Sequence, residues 1–310
     1  RLVQGWHGRA GVRELHPRAP QRRFRKQDRQ RVLAMPAGLL RSQEADEGGT
    51  AVACPVETKP LLANDAGGGG QNYPEDYDVV QELHEKDQLS LRIAYNLFAQ
   101  TPGEELNDYE RWIAMTEPGA GDGWLRMNGA GENLAWSAAD FENFLEPRPE
   151  PGPVMEAELE RIVALLADND WPFRIHATYD ETIDRFLTVF ERVTGGVPFR
   201  TRFIIDHAET VSPRNIERIK ALGGGIATQH RMAFQGEYFV ARYGAEAARA
   251  TPPIREMLRT GLPVGGGTDA TRVASYDPWV AMHWLTTGRT VGGLPLYGDD
   301  ALLTREEALA

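Results

Sequence analysis

The sequence has one cysteine and lacks long apolar runs. Because Cys54 is the only cysteine among 310 residues, an intramolecular disulfide and a cysteine-based zinc cluster are excluded. No apolar run reaches the roughly 18 residues of a membrane span, and no signal peptide is visible at the start. We therefore expect a soluble cytoplasmic protein without a membrane partner.

Lysine is also scarce, and none of the lysines falls at the carboxyl end of a predicted strand. The chain contains only Lys26, Lys59, Lys86 and Lys220. A Schiff-base aldolase or a pyridoxal-dependent enzyme needs a lysine in its active site, so both classes are disfavoured.

Acidic residues outnumber basic ones, which gives the chain a formal net charge of −11. A general nucleic-acid or anionic-membrane binder needs a basic face, so this balance favours an enzyme that acts on a small-molecule substrate. A composition of 41% hydrophobic and 25% charged residues is typical of globular proteins. The length allows one large α/β domain or two ordinary ones.

The basic residues are concentrated at the start of the chain. Residues 1–43 contain ten arginines and one lysine against two acidic residues, with no sustained helix or strand period. We expect residues 1–64 to form an irregular basic arm, either a disordered tail or an aberrant extension, and residues 65–310 to form the folded domain. A nucleic-acid-binding arm is the open alternative.

From about residue 90, strand-like and helix-like stretches alternate, which predicts a parallel sheet with helical crossovers. One predicted helix has Ser212 at its N-cap and Pro213 at its first position. A TIM (β/α)8-type barrel allots roughly 31 residues to each βα unit. His176 and His207 are 31 residues apart, and Asp269 follows His207 by 62. This spacing favours the barrel, and an open doubly wound sheet remains the alternative.

His176, His207 and Asp269 each follow a predicted strand. Barrels place their active sites at the carboxyl ends of strands, so these side chains are expected to converge. Imidazole nitrogens and a carboxylate are suitable ligands for zinc or another divalent metal, which would activate water while Asp269 takes its proton. The alternative is that both histidines cap helices or make ordinary hydrogen bonds.

Other residues near predicted strand ends receive weaker assignments. His230 and Arg231 are predicted to bind substrate, although a loop hydrogen bond would equally explain His230. Glu132 lies just beyond a predicted strand, where a carboxylate could reach the metal, cap a helix or remain solvated. His84 and His283 lie in predicted helices, which favours structural roles.

Three stretches resemble consecutive motifs of the metal-dependent amidohydrolase superfamily, and most of all its amidohydrolase 3 (YtcJ-like) branch. They are RIHATYDETIDRFLTVFE, FIIDHAETVSPRNIERIKALGGGIATQH and LPVGGGTDATRVASYDPWVA. The resemblance runs from about Asp65 onward and implies a TIM barrel in which His176, His207 and Asp269 end strands 5, 6 and 8. It implies one or two divalent metal ions, above all zinc, with both histidines as ligands. Asp269 would be a ligand and the proton-transfer group.

The sequence also departs from the pattern of that family. No HxH pair occurs, and WLRMNGAGEN offers Glu132 as a bridging carboxylate where many members have a lysine. Strands 3 to 8 are recognisable, while strands 1 and 2 would fall in the irregular arm and the chain ends before the closing segment. We therefore expect an incomplete barrel.

The expected function is metal-dependent hydrolysis of non-peptide carbon–nitrogen bonds such as amides or formamides. One alternative is an inactive barrel fragment that lacks the HxH ligands. Another is a metal-dependent deaminase or lactonase that uses the same ligands. The sequence is compatible with a homo-oligomer and identifies neither the substrate nor the metal.

Overall fold

A computed structural model describes residues 62–65, 73–141, 144–270 and 273–309. The predicted basic arm, residues 1–64, lies almost wholly outside the described residues, so it stays a prediction. Seven strands are present in the described part: β1 (Leu62–Asp65), β2 (Arg92–Leu97), β3 (Leu125–Ala130), β4 (Phe173–Ala177), β5 (Phe203–His207), β6 (Gly225–Gln229) and β7 (Val264–Gly267).

Helices follow most of these strands. In the described ranges they are α1 (Asp78–Glu85), α2 (Glu105–Met115), α3 (Met155–Asp168), α4 (Asp180–Thr194), α5 (Pro213–Ala221), α6 (Met232–Tyr243), α7 (Ala245–Ala248), α8 (Ile254–Arg259), α9 (Pro278–Thr287) and α10 (Arg305–Leu309). Two 3-10 turns span Glu75–Tyr77 and Trp136–Ala138. None of these described helices has the length and apolar character that crossing a membrane requires.

The seven strands form one parallel sheet in which their order follows the chain, from β1 to β7. A doubly wound sheet reverses its strand order at a switch point. The sequential order therefore excludes that alternative and confirms the predicted TIM-type barrel as an incomplete one. Within the described ranges no strand joins β1 to β7, whereas a closed barrel of this type needs eight strands.

The predicted strands 3 to 8 correspond to β2 to β7, but strand β1 was not predicted. Its four residues, LAND, pair with β2 from Leu62 opposite Arg92 to Asp65 opposite Tyr95. Asparagine and aspartate are more typical of turns than of strands, and four residues are too few to show a period. Strand β1 lies across the predicted boundary between residues 64 and 65.

Helix α5 begins as the sequence predicts. The side chain of Ser212 accepts a hydrogen bond from the backbone N–H of Asn215 at 3.3 Å, and Pro213 is the first helical residue. The cap satisfies a donor that the first helical turn would otherwise leave unpaired. The predicted helical positions of His84, in α1, and His283, in α9, are confirmed.

Four phenylalanines join the sheet to helix α4. The rings of Phe173, Phe190, Phe199 and Phe203 pack in pairs with centroids 5.2 to 5.8 Å apart. Phe190 belongs to α4, whereas Phe173 and Phe203 begin β4 and β5. This cluster fixes the start of the two strands whose opposite ends carry His176 and His207.

Phe190→Ala should lower the free energy of unfolding by about 3 to 5 kcal/mol, because it empties a fully buried aromatic site. Val197→Ala is the control, since Val197 is 60% exposed, and it should change stability by less than about 0.5 kcal/mol. Urea denaturation measures both. Equal stability losses in the two variants would contradict the packing described.

Candidate metal centre

Three predicted metal ligands converge at the carboxyl ends of neighbouring strands. Glu132 lies two residues beyond β3, His176 is the penultimate residue of β4, and His207 is the last residue of β5. One ligand atom from each lies within 4.8 Å of the others. The imidazole rings of His176 and His207 have centroids 4.2 Å apart. Two imidazoles and a carboxylate form a donor set that zinc accepts.

Glycine at the end of β3 allows Glu132 to reach this cluster. Gly131 has φ 120°, and a Cβ atom there would lie 2.3 Å from the carbonyl oxygen of Arg174 in β4. Any side chain would therefore force the two backbones apart. The carbonyl of Glu132 then accepts a hydrogen bond from the backbone N–H of His176 at 3.0 Å. The NGAGEN motif thus places the carboxylate by close backbone approach.

His207 lies between two carboxylates. Its Nε2 is 3.4 Å from Oε2 of Glu132, and its Nδ1 is 4.0 Å from Oδ2 of Asp269. The side chain is 2% exposed, and neither nitrogen has a hydrogen-bond partner among the described residues. Buried polar atoms are rarely left unpartnered because their desolvation is costly. These nitrogens therefore suit a site that a cation completes.

The backbone at two strand ends is in the left-handed region. The φ angles of His207, Ala208 and Asp269 are 78°, 53° and 49°. Residues other than glycine seldom adopt such φ angles, and each residue that does so carries backbone strain on the order of 1 to 3 kcal/mol. Strain of this kind concentrates at functional sites. Two of the three residues are predicted metal ligands, which agrees with that tendency.

A buried carboxylate that the sequence did not reveal holds His176. Asp140 has one oxygen 3.1 Å from Nε2 of His176 and accepts hydrogen bonds from the backbone N–H groups of Thr178 and Tyr179 at 3.0 to 3.2 Å. With Nε2 engaged, Nδ1 of His176 is buried without a partner in the described part of the chain. That nitrogen is the candidate ligand atom, and Asp140 orients the ring, as carboxylates beside metal-bound histidines do.

The surroundings of the two histidines shift their pKa values in opposite directions. Burial, together with the nearby charges of His176 and Arg231, lowers the pKa of His207 well below its usual value, so the ring is neutral and able to bind metal. Burial also acts to lower the pKa of His176, but the hydrogen bond and charge of Asp140 outweigh it and raise that pKa. A metal bound through His176 would therefore compete with a proton for that ring at acidic pH.

Glu209, Arg231 and Asp269 follow three successive strands, β5, β6 and β7. Arg231 Nε is 3.6 Å from Oε1 of Glu209, and Arg231 Nη2 is 3.5 Å from Oδ2 of Asp269. Burial raises the pKa of Glu209, whereas the charge of Arg231 acts to lower it. The sequence did not single out Glu209, although its position two residues after His207 was a usable signal. We call Glu209, Arg231 and Asp269 the rim triad.

A cavity of about 810 Å³ borders the site and is lined mainly by residues of β5, β6 and β7. Glu132, His207 and Asp269 are part of its wall. Its size lies within the roughly 300 to 1,000 Å³ usual for small-molecule sites.

The residues predicted to bind substrate lie deeper. His230 and Arg231 are 1% and 3% exposed, and neither belongs to the cavity lining found in the described ranges. The ring of His230 instead packs edge-on against Phe234, with centroids 5.5 Å apart. Substrate binding by His230 and Arg231 stays a prediction.

Comparison with known proteins identifies the family. The model of the amidohydrolase family matches residues 13–310. The chain belongs to the amidohydrolase family. No curated protein matches it.

Solved structures resemble this amidohydrolase-family chain in fold. An uncharacterized metal-dependent hydrolase from Pyrococcus furiosus is 22% identical with a TM-score of 0.56, over 80% of this chain and 49% of that one. An uncharacterized metal-dependent hydrolase from Pyrococcus horikoshii OT3 is 19% identical with a TM-score of 0.56, over 80% and 48%. The chain thus spans about half the length of these structures.

The residues of this amidohydrolase-family chain fit a divalent metal. Nδ1 of His176 and both nitrogens of His207 are buried without hydrogen-bond partners in the described ranges, and a carboxylate of Glu132 faces them. Asp269 is 4.0 Å from His207 on the opposite side from Glu132. The predicted ligands Glu132, His176 and His207 are thus brought together, whereas Asp269 lies beside His207 outside that cluster. The role of all four as ligands stays a prediction.

His207→Ala should weaken zinc binding by more than about 100-fold, because loss of a direct ligand exceeds the 10- to 100-fold effect of a supporting residue. Zinc should accordingly raise the melting temperature of the parent and not of the variant. His283→Ala is the matched control, since His283 is exposed on α9. Zinc binding by His207→Ala at parent strength would rule out the ligand role.

Asp140→Asn should weaken zinc binding by about 10- to 100-fold, because the neutral amide no longer orients and polarises His176 as the carboxylate does. Equilibrium dialysis at neutral pH measures the affinity. Asp168→Asn, at an exposed position at the end of α3, should leave it unchanged. If the two variants bind zinc equally well, Asp140 does not support the site.

Proposed function

We propose that this chain is a cytoplasmic metal-dependent hydrolase of non-peptide carbon–nitrogen bonds, with amides and formamides as its substrate class. The observation that carries the proposal is the convergence of Glu132, His176 and His207, with Asp269 beside His207. Glu132, His207 and Asp269 are part of the wall of a cavity of about 810 Å³. Membership of the amidohydrolase family supports the same reaction class.

Glu132, His176 and His207 would hold a divalent cation, for which zinc is proposed, and Asp269 offers a further ligand for one or two ions. When bound, such a cation polarises a substrate carbonyl and lowers the pKa of water toward neutrality. The donor set of nitrogen and carboxylate oxygen suits zinc. Asp140 keeps His176 in the orientation that leaves Nδ1 available.

Asp269 has the position of a proton carrier. Its side chain is 29% exposed, it lines the cavity, and one of its oxygens is 4.0 Å from Nδ1 of His207. In the proposed reaction, a water oxygen attacks the carbonyl carbon while an Asp269 oxygen accepts the water proton. The proton passes to the nitrogen as the carbon–nitrogen bond breaks, which gives a carboxylic acid and an amine.

Asp269→Asn should lower kcat by about 10²- to 10⁴-fold because the amide accepts no proton. The assay is hydrolysis of a panel of N-acyl amines, formamides and lactones by protein saturated with zinc, with metal content confirmed by mass spectrometry. Asp299→Asn, at an exposed loop position, should keep parent activity. Parent-like turnover by Asp269→Asn would exclude the proton-transfer role.

The second candidate function is a non-catalytic barrel fragment. The absence of an HxH pair from the sequence favours it, because that pair supplies two ligands in the motifs that the chain resembles. A fragment of this kind would bind zinc weakly or not at all and hydrolyse nothing in the panel. Turnover of a lactone with no turnover of any amide would instead favour a lactonase.

A further inference from the structure

We infer that Arg231 and Glu209 are positioning residues that fix the carboxylate of Asp269 for proton transfer. The inference rests on the proposed function, in which Asp269 carries the proton. Arg231 lies between the two acids of the rim triad, 3.6 Å from Glu209 and 3.5 Å from Asp269. Arg231 thus contacts one buried acid and one acid at the cavity.

Exposure distinguishes the two acids. The side chain of Glu209 is 2% exposed and that of Arg231 is 4% exposed, whereas Asp269 is 29% exposed and lines the cavity. Arg231 is absent from the cavity wall in the described ranges, and it lies 3.5 Å from Asp269, which does line the cavity. The planar guanidinium of Arg231 lies at ion-pair distance from both acids.

Charge balance explains why both partners of Arg231 are needed. A buried guanidinium with Asp269 as its only counter-ion would bind that carboxylate tightly and compete with a metal or proton for it. Glu209 shares the positive charge at nearly the same distance, 3.6 Å against 3.5 Å. The positive charge beside Asp269 is therefore shared with a second acid, Glu209.

The alternative is a purely structural role, in which Arg231 and Glu209 only neutralise each other in the interior. Removing one member of a buried ion pair can unfold a protein, while replacing both is often tolerated. The informative variant is therefore the double substitution Glu209→Gln with Arg231→Met, and it is compared with Arg231→Lys. The matched surface control is Glu217→Gln with Arg242→Met, at two exposed helical positions.

In zinc-saturated protein, the double variant should lose about 10- to 100-fold in kcat, the range of supporting residues, with KM within about threefold of the parent. Arg231→Lys should recover part of kcat because the charge is kept without the planar fork. The surface control should match the parent. A double variant that folds and turns over at the parent rate would overturn the positioning role.

A second measurement tests the positioning role even if no substrate is hydrolysed. In that case the proposed function fails, and the positioning role is judged from zinc affinity alone. Zinc affinity is measured for Asp269→Asn in the parent and in the double-variant background. Because the groups are coupled, Asp269→Asn should cost about fivefold less affinity in the double-variant background. Equal or larger losses there would show that Arg231 and Glu209 do not position Asp269.

Discussion

Parallel pairing of strands in chain order is the constraint on which the site depends. In such a sheet every strand ends at the same rim, so one side chain from each βα repeat can meet its neighbours there. The register of β4 with β5 places His176 opposite Asp206 and Ala177 opposite His207. Paired residues share a face of the sheet, so the alternation of regular strands would put His176 and His207 on opposite faces. The left-handed backbone of His207, with φ 78°, departs from that alternation at the strand end, where the two rings lie 4.2 Å apart. The aromatic cluster of Phe173, Phe190 and Phe203 holds these strands in register from their opposite ends.

The second requirement is that buried charged groups be compensated, and in this chain most of them are paired. Isolated charges are strongly destabilised in a protein interior, so each buried acid or base needs a partner. Asp140 pairs with His176, Glu209 with Arg231, and Arg174 donates from Nε to Oδ2 of Asp206 at 2.9 Å in the cavity wall. The ring nitrogens of His207 and of His230 have no hydrogen-bond partner in the described part. Of these two histidines, His207 lies in the cluster with Glu132 and His176, where a cation would compensate for burial.

The sequence identified the site residues that lie at strand ends and did not identify Asp140, which lies in a connecting segment. Spacing of one or two βα units selected His176, His207 and Asp269, because the distance along the chain repeats with the fold. Asp140 was not identified because it follows a 3-10 turn in the connection after β3, where the sequence has no helix or strand period. Burial of His230 and Arg231 could not be read either, since a strand-end position does not determine whether a side chain faces the cavity or the interior. The unpredicted strand β1 is too short to show a pattern.

The central claim is that Glu132, His176 and His207 together hold a divalent cation. Anomalous diffraction from crystals of the full chain grown with zinc tests it most directly, because the signal locates the metal itself. We expect a peak about 2.0 to 2.2 Å from Nδ1 of His176, a nitrogen of His207 and an oxygen of Glu132. Full occupancy elsewhere on the molecule, or no peak at this cluster in zinc-saturated crystals, would contradict it.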